Sequence, residues 1–131
     1  MSAATVIATL RYREAPAAIT FLTTALGFEL GHMTEDEQGR IVHAELWCGD
    51  DVLMVADDRE DTPWNQAPGT GGTYLVLDGE DDVDVVFAAA MSAGALSVTE
   101  PSSPSYGGRE CVIRDPEGNL WSLGTYRPQR A

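Results

Sequence analysis

His43, Glu45 and Trp47 alternate along Ile41 to Cys48, and chemistry can begin from this spacing. A strand turns successive side chains to opposite faces. Ile41, His43, Glu45 and Trp47 therefore share one side, and Val42, Ala44, Leu46 and Cys48 the other. The second set is small or aliphatic, ground on which a helix can pack. The first set is mostly polar or aromatic. An imidazole and a carboxylate two residues apart can work as an acid–base pair or hydrogen-bond a polar ligand. The same pair equally suits an ion pair left in solvent or in a dimer interface. His-x-Glu is also half of a metal site, a poor third reading. His32, near the end of the preceding strand, reads as merely exposed.

Trp47, Trp64 and Tyr106 offer stacking surfaces for a planar or cationic ligand. Core or interface packing would use the same three residues. Met33, Met54 and Met91 suit core filling. Cys48 and Cys111 lie far apart in apolar-patterned strands and read as reduced, buried small hydrophobes. Arg109 and Glu110 read as bonding neighbouring strands.

Eight basic residues stand against 21 acidic ones, a formal charge of −13. That balance argues against nucleic acid and anionic membranes as partners. The acids gather in Asp57-Asp58-Arg59-Glu60-Asp61 and in Asp78 to Asp84. They are expected to form two solvated loops; the alternative is attraction of a cationic ligand. No run approaches the roughly 18 apolar residues needed to span a membrane. The opening MSAATVIATLRYRE lacks a charged n-region and a long apolar core, so a cytoplasmic location is expected.

The elements that must position these residues follow from pattern and punctuation. Thr5 to Tyr12 predicts a strand. Glu14-Ala15-Pro16 opens a helix whose stripe is Ala17, Ala18, Phe21, Leu22 and Leu26, closed by Gly27. Strands follow over Phe28 to Met33, Ile41 to Cys48 and Val52 to Ala56. Residues 57–72 form a long loop ending in Pro68-Gly69-Thr70-Gly71-Gly72, read as a flexible connection. It is no phosphate loop, because no GK[ST] follows. Thr73 to Leu77 is a fifth strand, and a helix runs from about Asp82 to Ser92 with Val83, Val86, Phe87 and Ala90 as its stripe. Leu96 to Thr99 is a sixth strand, and Pro101 to Ser105 a loop. Arg109 to Arg114 and Leu120 to Thr125 close the chain as a hairpin. Their turn, Asp115-Pro116-Glu117-Gly118-Asn119, has Pro to fix φ and Gly to accept positive φ. The order is βαβββ twice: an α+β layer architecture in one domain over 1–131, the first module about 1–64 and the second about 65–131.

Three stretches carry a family likeness in the right order. Leu10 to Glu14 with Ala17 to Leu22 and Leu26-Gly27-Phe28 is similar to a first strand, helix and "LGF" turn. Asp82 to Phe87 running to Ala93-Gly94-Ala95 is similar to a second helix and "AGA" turn. The closing strand–D-P-E-G-N–strand resembles the signature of the vicinal oxygen chelate superfamily, which holds glyoxalase I, bleomycin-resistance proteins and extradiol dioxygenases. The resemblance covers nearly the whole chain. It implies two βαβββ modules curling a mixed sheet around a central pocket with the helices outside, and pairing as a homodimer.

The metal enzymes of that superfamily take His, Gln or Glu donors from four strands. The resemblance maps these positions onto Ile7, Met54, a residue on or beside Thr73, and Ser122. None is a donor that a hard divalent cation needs. It therefore implies no metal and no cofactor, and it speaks against glyoxalase, dioxygenase and thiol-transferase activity. With Ile7 and Met54 facing the pocket, Thr9, Arg11, His43, Glu45 and Trp47 face it too. Trp121, of opposite parity to Ser122, belongs beneath a helix. The expectation is a metal-independent binder of a small, planar or cationic organic molecule. Thr9, Arg11, His43, Glu45, Trp47, Met54, Trp64, Tyr106 and Ser122 are its candidate contacts. The alternative is a lyase, isomerase or dioxygenase-type enzyme, with His43 and Glu45 as catalytic candidates.

Overall fold

Pro16 lies in the first turn of helix α1 (Ala15–Thr24), where its missing N–H costs least, and Gly27 with φ 80° turns the chain out after it. This computed structural model describes residues 3–130. Around α1 run β1 (Ala8–Tyr12), β2 (Glu29–Glu35), β3 (Ile41–Cys48) and β4 (Asp51–Asp57). The second repeat consists of β5 (Gly72–Val76), α2 (Glu80–Ser92), β6 (Leu96–Ser102), β7 (Glu110–Arg114) and β8 (Leu120–Gly124). The order is βαβββ twice, as the patterning implies.

Hydrogen bonding sorts the strands into two four-stranded mixed sheets, ordered β1-β4-β3-β2 and β5-β8-β7-β6. In each the module's first strand lies parallel to its last, and the remaining ladders are antiparallel. Each module thus forms its own mixed sheet with one helix, the α+β layer arrangement expected. The chain divides into two compact units, Met1–Pro68 and Gly69–Ala131.

In the first unit α1 packs on one face of its sheet. Leu10, Tyr12, Ala44, Leu46, Leu53 and Val55 are buried there with Phe21 and Leu22 of the helix. In the second, Val83 and Ala90 of α2 are buried, as are Cys111, Ile113, Trp121 and Leu123 of the sheet beneath. Trp121 is fully buried, as its parity requires.

Several boundaries move for physical reasons. β1 starts at Ala8, and Val6 before it is 95% exposed. α2 starts at Glu80, drawing in acids read as loop. Glu80, Asp81 and Asp82 fill its first turn, where the helix dipole favours negative charge. The Gly79 N–H also donates to the Asp82 carboxylate at 3.0 Å. β6 runs through Pro101 to Ser102, which an edge strand tolerates.

The Gly-rich run is no loose connection. The Gly71 N–H donates to Asn119 Oδ1 at 2.9 Å, and the Gly71 carbonyl accepts from the Leu120 N–H at 2.9 Å. A side chain at Gly69, whose φ is 82°, would meet the Glu117 carbonyl oxygen at 2.5 Å. The run is thus pinned to the closing turn. In that turn buried Asp115 accepts from the Glu117 and Asn119 amides, both at 3.0 Å, and from Trp121 Nε1 at 3.1 Å.

Asp57 corrects the reading of its acidic stretch as a solvated loop. It ends β4, is 3% exposed, and accepts the Ala15 N–H at 2.9 Å and the Ile41 N–H at 2.7 Å. The first of these amides is an orphan donor of the helix start; Asp57 caps α1 from 42 residues away. No helix among the described residues is long and apolar enough to cross a membrane.

Candidate functional site

The face of the first sheet away from α1 collects most of the expected contacts. Alternation puts Thr9 and Arg11 of β1 there, opposite in parity to buried Leu10 and Tyr12. Met54 of β4 pairs with Thr9 on one side and Glu45 on the other, so Thr9, Met54 and Glu45 form a row across three strands. Arg11 pairs with Ala56, Thr34 with His43, and Trp47 with Val52. Met54 and Met33 are not fully buried, so core filling does not describe them.

His43 Nε2 and Glu45 Oε2 lie 2.9 Å apart, with side chains 37% and 30% exposed. Nε2 donates to the carboxylate, which leaves Nδ1 available to a ligand. His32, read as merely exposed, lies in mid-β2 with its ring 6.0 Å from that of His43, and its Nε2 is 3.0 Å from Thr34 Oγ1. The sequence gives His32 no signal beyond parity, which the bulges in the β2–β3 ladder obscure.

Trp47 remains 37% exposed, its indole resting over Gly31 of β2. A Cβ at Gly31 would stand 2.7 Å from Trp47 Nε1, so the missing side chain makes the seat for the ring. Trp64 meets the protein's own cations. The guanidinium of Arg11 lies 5.3 Å from its ring centroid and that of Arg59 5.7 Å. Trp64 thus joins Arg11 at the margin of this face. Nearby, an open recess of about 380 Å³ is lined by Arg13, Arg40, Asp58, Glu60 and Asp61.

Ser122 and Tyr106 belong to the second unit. Ser122 pairs with Tyr74, not Thr73, on the face away from α2; Thr73 has the parity of buried Leu75. That settles the uncertain fifth-strand register. Glu110 does more than bond a neighbouring strand: the Tyr74 hydroxyl donates to it at 3.0 Å and the Tyr106 hydroxyl donates to its other oxygen. Burial, with the Glu110 contact, pushes the Tyr74 phenol above its ordinary range; the hydrogen bond to Glu110 does the same for Tyr106. Arg109 makes a bidentate pair with Asp84 at 2.7 and 2.9 Å, which holds the Asp84 carboxyl below its usual range.

The donor chemistry does not fit the divalent ion of the superfamily's metal enzymes. At the mapped positions the first unit offers the isoleucine Ile7 and the thioether of Met54, and the second Thr73 or Tyr74 with Ser122. Among the described residues no three His, Cys, Asp or Glu side chains gather as a metal site. Neither cysteine is in a disulfide; burial pushes the Cys111 thiol up to about 11, an unreactive state.

Comparison with known proteins agrees with this architecture. The protein Mb0911c of Mycobacterium bovis, uncharacterized, is 33% identical over 120 residues, 85% of this chain and 76% of its own length. The crystal structure of TioX from Micromonospora sp. ML1 is similar with a TM-score of 0.76 at 24% identity, covering 95% of this chain and 100% of that one. A glyoxalase/bleomycin resistance protein/dioxygenase family enzyme from Burkholderia phytofirmans PsJN gives 0.70 at 19% identity, covering 90% and 94%. The family model of the Glyoxalase/Bleomycin resistance protein/Dioxygenase superfamily matches residues 5–123, nearly the whole chain, and the protein belongs to that superfamily.

Proposed function

We propose that this protein binds a planar small organic molecule on the open face of its first sheet, without a metal, and sequesters it unchanged. One observation carries the reading. A hydrogen-bonded His43–Glu45 pair stands two residues from a half-exposed indole whose seat is built by a glycine. The indole supplies a stacking surface and Glu45 a charged acceptor, which favours a ligand bearing positive charge or a hydrogen-bond donor at its edge. Stacking of a cation on an indole contributes about 0.5–2 kcal/mol, and a charge-assisted hydrogen bond about 1.5–3 kcal/mol. Arg11 and Arg59 already flank Trp64, so Trp47 is the better ligand surface.

Tryptophan fluorescence during titration with planar aromatic cations and their neutral analogues tests this. The cations should bind more tightly, less so as salt is raised, and Trp47→Ala and Glu45→Gln should each weaken them about tenfold or more. Ligand released by denaturation should be unaltered, and elemental analysis should find well under one metal per chain. Equal response to charged and neutral compounds, or indifference to both substitutions, overturns the reading. Two copies are proposed to pair as a homodimer, in keeping with the exposed Leu30 and Met33 on edge strand β2; a monomer by light scattering at micromolar concentration would refute it.

A second reading rests on the orientation of His43. With Nε2 held by Glu45, a free Nδ1 can take a proton from a bound substrate, as a metal-free lyase or isomerase would require. Consumption of ligand that is lost in His43→Gln would decide for it.

A further inference from the structure

The second unit holds another carboxylate among aromatic rings. Glu110 opens β7 opposite Gly124 of β8. The Tyr74 hydroxyl donates to its Oε2 at 3.0 Å, and the Tyr106 hydroxyl donates to its Oε1. The Tyr126 N–H donates in turn to the Tyr74 oxygen at 3.2 Å, which brings the chain beyond β8 against the same group. Each carboxylate oxygen has one phenol partner and retains a lone pair. No guanidinium neutralises it: adjacent Arg109 is engaged with Asp84, and among the described residues Glu110 makes no ion pair. Both phenols are shifted upward and stay neutral at neutral pH, so the charge of the cluster is that of Glu110.

The backbone makes room for this arrangement. A Cβ at Gly124 would collide with the Tyr74 hydroxyl, so a glycine there lets Tyr74 lie across β8 and reach Glu110. With their hydroxyls turned to the carboxylate, Tyr74 and Tyr106 still present 39% and 68% of their surface to solvent, and Tyr126 presents 56%. Two exposed rings beside one uncompensated carboxylate suit a cation that is bulky and weakly hydrated. A single carboxylate whose oxygens already accept hydrogen bonds is a poor ligand set for a metal ion. An alkylammonium group gains from both ring and charge.

We propose that Glu110 with Tyr74 and Tyr106 forms a second recognition site, for small alkylammonium groups. It goes beyond the function proposed for the first sheet and shares no residue with it. Amide NMR spectra of the full chain, titrated with choline and with its uncharged isostere 3,3-dimethylbutanol at fixed ionic strength, test it. Choline should give saturable shifts at Tyr74, Tyr106, Glu110 and Gly124, and the isostere should bind at least tenfold more weakly. Glu110→Gln and Tyr106→Leu should each weaken choline about tenfold, Tyr106→Phe much less, with dispersed spectra reporting an intact fold. Trp47→Ala should leave these shifts unchanged, which separates failure here from failure of the first site. Equal binding of the isostere, unchanged binding to Glu110→Gln, or shifts spread over the acids of residues 78–84 would overturn the proposal, leaving the tyrosines as a staple for the loop before β7.

Discussion

Removing the Asp57 carboxylate should cost the first unit much of its stability. Asp57→Ala leaves the Ala15 and Ile41 amides, in residues 0% and 2% exposed, without their acceptor. A buried donor left unsatisfied costs about 1–3 kcal/mol, so two together cost about 4 kcal/mol. Part of α1 start stabilisation is lost with them, since a carboxylate at a helix N-terminus also interacts favourably with its dipole. Against a total of about 5–15 kcal/mol for a domain, that is a large fraction. With about 3–5 °C per kcal/mol at this size, melting should fall by roughly 10–20 °C. Asp57→Asn keeps one acceptor and turns an amide NH2 toward the other N–H, so it should lose at least half as much. Asp61→Ala is the control. Its side chain is 79% exposed and only 3.7 Å from Arg59, a pair contributing about 1 kcal/mol or less. Urea unfolding with unchanged m-value measures all three. If Asp57→Ala costs no more than Asp61→Ala, water satisfies the two amides and Asp57 is not the cap of α1.

Gly31→Val should lift the Trp47 indole from its seat, because the added Cβ alone would stand 2.7 Å from Nε1. β2 is an exposed edge strand in which valine is well suited, so the fold should survive while planar-ligand binding falls at least tenfold and Trp47 emission shifts. Cys111 should resist iodoacetamide in the native state and react on unfolding, with half-buried Cys48 modified first. Its folded thiol titrates above the ordinary 9.0, so the unfolded chain loses that proton first. Stability should therefore decline as pH rises from about 9 toward about 11, and Cys111→Ser should flatten that decline.

What could be read ahead was local. Pro16, Gly27 and the D-P-E-G-N turn announce themselves within a few residues, and parity along β3 separated Ala44 and Leu46 from His43, Glu45 and Trp47. What could not be read was set by partners far along the chain. Asp57 looks like one acid among several until its amides arrive from 42 and 16 residues away. Glu110 meets Tyr74 across 36 residues. Gly31 and Gly124 looked ordinary because their role is to be missing beneath another residue's ring. The fifth-strand position stayed open, on or beside Thr73, because a one-residue slip in a strand exchanges its two faces; the residue that pairs with Ser122 is Tyr74.

The same distinction alters what the charge of −13 means. Asp57 and Asp115 are buried as acceptors for backbone amides, Asp82 caps α2, and Asp84 is engaged with Arg109. These acids serve the fold and offer little attraction to a ligand. The carboxylates on the sheet faces left open by the helices are a different class. Glu45 and Glu110 each lie beside exposed aromatic side chains, and each is fixed by neutral or titratable donors from its own unit. A carboxylate so fixed keeps its direction, whereas an acid on a solvated loop points no one way. On the readings proposed above, selection for a cation comes from these two positions, and neutralising surface acids such as Asp61 should change the salt dependence of encounter without changing which compound is held.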